Sequence, residues 1–143
     1  MQNPKLILFD SVVFNTTDKT MHILDGSLGF YDYRHIKRAV ILNERANHRG
    51  KSTPFLAVVP KGPGRPGVLL YSFLYVGIKI VMADHSILAI YISKEKTQVG
   101  TNQYWEDQTK AKEILMLIQK IIHKYAKEEA YPVDRSLSLF YTV

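Results

Sequence analysis

AKEILMLIQKIIHKY, residues 111–125, decides how the rest of the chain must be read. Ala111, Ile114, Leu115, Ile118, Ile121, Ile122 and Tyr125 recur at spacings of three, four and seven, which lays one apolar stripe along a helix. Lys110, Lys112, Glu113, Lys120 and Lys124 fall on the other side. The pattern predicts a helix that starts between Asn102 and Asp107, where Glu106 and Asp107 suit the positive end of the helix dipole. It must finish before Tyr131-Pro132, because a residue that precedes proline is pushed out of helical geometry. Such a helix has to bury its stripe, so the residues before it must supply an apolar face.

Those residues read as strands. KLILFDSVVF (5–14) leads through the turn-like NTTDK into TMHIL (20–24) and Asp25-Gly26, which predicts a hairpin. FYDYRHIKRAVILN (30–43) mixes aromatic and β-branched residues around Ile36, Ala39, Val40, Ile41 and Leu42. FLAVV (55–59) is a short strand closed by Pro60. VLLYSFLYVGIKIVM (68–82) is too long for one flat strand, and Gly77 is the expected bend or bulge. ADHS (83–86) turns the chain into ILAIYIS (87–93). The expected class is α+β, mainly β: an antiparallel barrel or sandwich of six or seven strands capped by one long C-terminal helix. One domain is expected over residues 1–130, followed by a tail over 131–143.

This order resembles the pleckstrin-homology-like superfold, as found in bacterial PH-like domains. The resemblance spans roughly residues 5–128, with a local echo in GSLGFYDYRHIKRAVIL (26–42), where a tyrosine-containing turn precedes an isoleucine. Trp105 lies at the helix start rather than inside the closing helix, and the tail after Pro132 is extra to the plan. The family's lipid-binding residues do not carry over. Its first hairpin usually bears the cations that grip phosphate, whereas VVFNTTDKTMHI offers only Lys19 beside Asp18. What the resemblance implies is a non-enzymatic binding or scaffolding module.

The chain has 143 residues, 46% of them hydrophobic, enough for one domain with a proper core. It has no cysteine, which excludes disulfides, thiolate nucleophiles and cysteine-ligated metals and points to a reducing, cytoplasmic setting. Asp10 interrupts the apolar start, which therefore reads as a strand and not as a signal peptide. The longest apolar run, residues 68–83, contains Lys79 and is shorter than the roughly 20 residues of a membrane-spanning helix.

The net charge of +6 is concentrated. Residues 34–65 hold Arg34, Lys37, Arg38, Arg45, Arg49, Lys51, Lys61 and Arg65 against Glu44 alone. Two nucleotide-like motifs sit in this segment, and both fail on context. Gly50-Lys51-Ser52 has Arg45 where a phosphate-binding loop needs its first glycine, and a strand follows in place of a helix. Gly62, Gly64 and Gly67 form a literal G-x-G-x-x-G, yet Pro63 and Pro66 remove donors and a strand follows again. The loops flank residues 55–60, about 20 Å of strand, so they point to opposite ends of a sheet. Arg45, Arg49 and Lys51 are one candidate anion site, and Lys61 and Arg65 another. Only an extended polyanion or a membrane surface could use both.

Other chemistry is sparse. No two of the five histidines share the helical spacing of a zinc pair, and no serine has a nucleophile-elbow setting, so no catalytic residue, metal or cofactor is expected. Tyr31 and Tyr33 beside Arg34, Lys37 and Arg38 could stack nucleic-acid bases; the commoner use is to fill a small barrel. In the tail, Leu137, Leu139, Tyr141 and Val143 alternate with Ser136, Ser138, Phe140 and Thr142, the period of a strand that can add to an open sheet edge. The expected partner is a protein or a second copy of the chain, with nucleic acid or anionic membrane as the alternative.

Overall fold

The structure, a computed structural model, describes residues 5–49, 53–59 and 73–130. Its first sheet holds β1 (Leu6–Leu8), β2 (Val12–Asn15), β3 (Thr20–Ile23) and β4 (Gly29–Asp32), antiparallel and in chain order. KLILFDSVVF is therefore two strands and not one. The Phe9 amide donates to the Val12 carbonyl at 3.0 Å, and the tight turn leaves Asp10 exposed at its tip. Between β2 and β3 the Asn15 side-chain oxygen accepts from the amides of Thr17 and Asp18, holding the NTTDK turn. Val12, Phe14, Met21 and Ile23 alternate inward and are fully buried. On the outer face His22 stacks on Phe30, its cross-strand partner, with centroids 3.9 Å apart.

A capped turn sends the chain to the second sheet. The Asp32 carboxylate accepts from the Arg34 amide at 2.8 Å, starting a single 3-10 turn over Tyr33–His35. The same bonds hold the Asp32 carboxyl below its ordinary range, the Arg34 side chain contributing most. Next come β5 (Ile36–Arg45), β6 (Val58–Val59), β7 (Leu74–Met82) and β8 (Ile87–Tyr91), in the order β6-β5-β7-β8. FYDYRHIKRAVILN is thus split at the turn, and FLAVV contributes only Val58 and Val59 as strand. The β5–β7 pairing is continuous through Leu42↔Gly77, and its irregularity lies between Ile36 and Arg38. Gly77 is no bulge. It leaves room for Phe55: a Cβ there would stand 2.8 Å from that ring and 3.0 Å from the Ile90 carbonyl oxygen.

Residues 25–27 stitch the two sheets together. The Tyr91 amide donates to the Asp25 carbonyl, and the Ser27 amide to that of Ala89. Gly26 is required between them, since a Cβ would lie 2.1 Å from the Ala89 carbonyl oxygen. The described strands therefore number eight, in two four-stranded sheets. No closed barrel forms among the described residues, and eight strands stand where a barrel or sandwich of six or seven was expected. Two of the expected strands each break at a turn: β1 and β2 pair with each other, and β4 and β5 join different sheets.

The helix α1 runs from Asn102 to Ala130. The Thr101 hydroxyl accepts from the Tyr104 amide at 3.2 Å, an N-terminal cap. Ala111, Ile114, Ile118 and Ile121 are buried in a core shared with Phe14, Ile41 and Ile78, so the helix and both sheets line one interior. Each such isoleucine stabilises the fold by about 1.5–3 kcal/mol through its burial. Leu115, Ile122 and Tyr125 flank that core half-buried. The first turns of the helix pack through polar groups instead. Gln108 donates to Asn43 at 3.0 Å, Asn43 to the Tyr104 hydroxyl at 3.2 Å, and Ser93 to Asp107 at 2.8 Å.

Candidate functional site

β5 is ten residues long, but β6 pairs only with Asn43 and Glu44. Among the described residues, no strand pairs with that side of β5 between Ile36 and Leu42. A groove enclosing about 510 Å³ wraps this edge. Four consecutive residues line it, Lys37 to Val40, and consecutive strand side chains point to opposite faces. From the outer face of β7 come Lys79 and Val81; from the helix come Gln119 and Ile122. The floor is apolar, with Val40 47% exposed, and the rim is cationic through Lys37, Arg38 and Lys79. A strand edge that no described strand pairs, with an apolar floor, is chemically suited to accept an extended chain by main-chain hydrogen bonds.

The opposite end of β5 is built differently. Glu44 lies on the outer face, yet it is 0% exposed because Phe55 covers it. Its carboxylate accepts from the Tyr91 hydroxyl at 2.5 Å and from the Phe55 amide. Burial first, and then this bond to Glu44, push the Tyr91 hydroxyl well above its ordinary range. Arg49 closes the cluster. Its guanidinium lies 4.4 Å from the ring centroids of both Tyr75 and Tyr91 and donates to Asp25 at 2.6 Å. Lys94 reaches the same carboxylate at 3.8 Å.

The residues singled out in the sequence separate accordingly. Arg45 is half-buried at the end of β5 and lines an open groove. Arg49 is turned onto Asp25 and two tyrosines rather than toward solvent. Lys51, Lys61 and Arg65 lie outside the described residues, as do Leu137, Leu139 and Tyr141 of the tail. Tyr31 donates to the Ser27 carbonyl at 2.9 Å, and Tyr33 is buried in the core, so neither ring is a free stacking platform. Sequence reasoning missed Lys79, Gln119 and Ile122 as neighbours of β5, although Lys79 stood out as the one charge in an apolar run. It also missed Lys94 and Lys96, whose SKEK context reads as an ordinary polar loop.

Among the described residues, no three His, Asp or Glu side chains gather as a metal site would, and no helix is long and apolar enough to cross a membrane. Compared with family models, with curated proteins and with solved structures, the chain matches none.

Proposed function

We propose that this chain is a non-enzymatic binding module that takes an extended, acidic segment of a partner protein as an added strand on β5. The observation that carries this reading is the groove at Lys37 to Val40, where a strand edge, an apolar floor and a cationic rim coincide. Main-chain bonds to the edge supply affinity whatever the sequence. Arg38 and Lys79 on the outer face favour carboxylates at alternate positions of the ligand, and Ala39 and Ile122 on the opposite face favour apolar side chains between them. Complementary charge of this kind raises the association rate and fixes register more than it adds affinity.

A peptide of alternating glutamate and valine is the direct probe, titrated calorimetrically and followed by amide hydrogen exchange. Binding should slow exchange within 36–42 and weaken several-fold with Arg38→Glu and Lys79→Glu together. Absence of binding at low salt, or binding that ignores both changes, overturns the reading.

A further inference from the structure

At the other end of β5 lies a larger open groove, enclosing about 890 Å³. Arg45 enters it from the strand, Phe73 from just before β7, Tyr75 from its start, and Lys94, Glu95 and Lys96 from the segment after β8. It is distinct from the strand edge and shares no residue with it. Three cations and one carboxylate line the groove, and Lys94 also reaches Asp25 at 3.8 Å, so Arg45 and Lys96 carry most of its positive excess. Its aromatic character is equally marked. Phe73 is 46% exposed, and the Lys96 ammonium stands 4.7 Å from its ring centroid. Tyr75 takes the Arg49 guanidinium over its ring.

The exposed Phe73 ring leaves an apolar face open to a ligand beside the lysines of the groove. The arrangement suits a ligand that has flat apolar faces and negative charge at short, regular intervals. From this juxtaposition of exposed ring and cations, we infer that the groove beside Arg45 binds single-stranded nucleic acid, with a base on Phe73 and phosphates on Arg45, Lys94 and Lys96. Stacking of a base on an aromatic side chain is worth about 1–3 kcal/mol and does not depend on which base is offered. Lys96 already shows how a cation and the ring share the site, and a phosphate can draw that ammonium to the groove rim.

The decisive experiment compares a fluorescent single-stranded thymidine decamer with an abasic decamer of the same length and charge. Both are titrated by anisotropy in about 50 mM salt, where phosphate contacts are strong. The thymidine strand should bind at least tenfold more tightly than the abasic one. Phe73→Ala should erase most of that difference. Lys94→Ala with Lys96→Ala should weaken both ligands and lower the salt slope by about 0.7 for each phosphate no longer neutralised. All three side chains lie at the surface, and thermal melts check that the variants fold. No binding of the thymidine strand, equal affinity for the abasic strand, or indifference to Phe73→Ala would each overturn the inference.

Discussion

Glu44 and Tyr91 meet at 2.5 Å, carboxylate oxygen to hydroxyl, in a place that water does not reach. Among the described residues Glu44 makes no ion pair, so two donors, this hydroxyl and the Phe55 amide, hold a buried acid. Glu44→Ala should strand both donors and leave a cavity, costing about 3 kcal/mol or more in urea unfolding. Glu44→Gln should cost far less, about 1 kcal/mol. Its carbonyl oxygen can accept from Phe55, and its amide nitrogen can donate to a rotated Tyr91 hydroxyl. Equal losses for the two variants would show that the donors are not what holds this site.

Tyr33 gives the fold an alkaline limit. It is 4% exposed, and burial, with a smaller push from Tyr125, raises its hydroxyl to about 12 from the ordinary 10.0. The unfolded chain therefore loses this proton first as the pH rises. The stability tied to it is fully present below pH 10 and drains away between 10 and 12. Tyr91 is raised as well and contributes with the same sign. Tyr33→Phe should make the fall above pH 10 shallower in denaturant titrations. Its hydroxyl has no hydrogen-bond partner among the described residues, so the variant should also be as stable at neutral pH, or more so by about 1 kcal/mol.

Gly77 and Phe55 form a paired fit across the outer face of the second sheet. The ring lies where a Cβ at residue 77 would stand, with the Ile90 carbonyl oxygen on its other flank. Gly77→Ala should cost about 1–3 kcal/mol, in the range for overpacking a filled site. Phe55→Ala should cost less in the Gly77→Ala background than in the parent chain, because the clash with the ring is relieved while the Ile90 carbonyl oxygen remains. A double-mutant cycle on melting temperatures reads the coupling, and simple additivity would exclude this contact.

The helix was the most legible part of the chain. Seven apolar residues at helical spacing can satisfy only one geometry, and the proline at 132 bounds it. Strand breaks were harder to see. Nothing in KLILFDSVVF separates a strand with one outward acid from two strands around a turn until pairing is known. Gly77 read as a bulge because glycine in a strand signals either a bulge or a close approach, and only the position of Phe55 distinguishes them. The groove at β5 depends on Lys79, Gln119 and Ile122, residues forty or more positions from Lys37 along the chain. Periodicity carries no information over that distance.

Arg49 is where the sequence pointed to ligand binding and the fold supplies another role. A cation in a basic run reads as available, yet its guanidinium is engaged by Asp25, 24 residues earlier, and lies against the rings of Tyr75 and Tyr91. Both charges are largely buried, with 27% of the Arg49 side chain and 19% of the Asp25 side chain exposed. Removing Asp25 strands the guanidinium, whereas removing Arg49 leaves Asp25 with Lys94 at 3.8 Å, so Asp25→Ala should destabilise by about 2–4 kcal/mol and Arg49→Ala by less. Arg49→Lys should recover little, since a compact ammonium cannot contact both rings and still reach the carboxylate. Heparin affinity measured beside thermal melting tests the assignment. Arg49→Lys keeps the charge, so it should lower the melting temperature while affinity for the polyanion stays within twofold. If that variant instead melts like the parent protein and loses heparin binding, Arg49 contacts ligand directly and the lock with Asp25 is wrong.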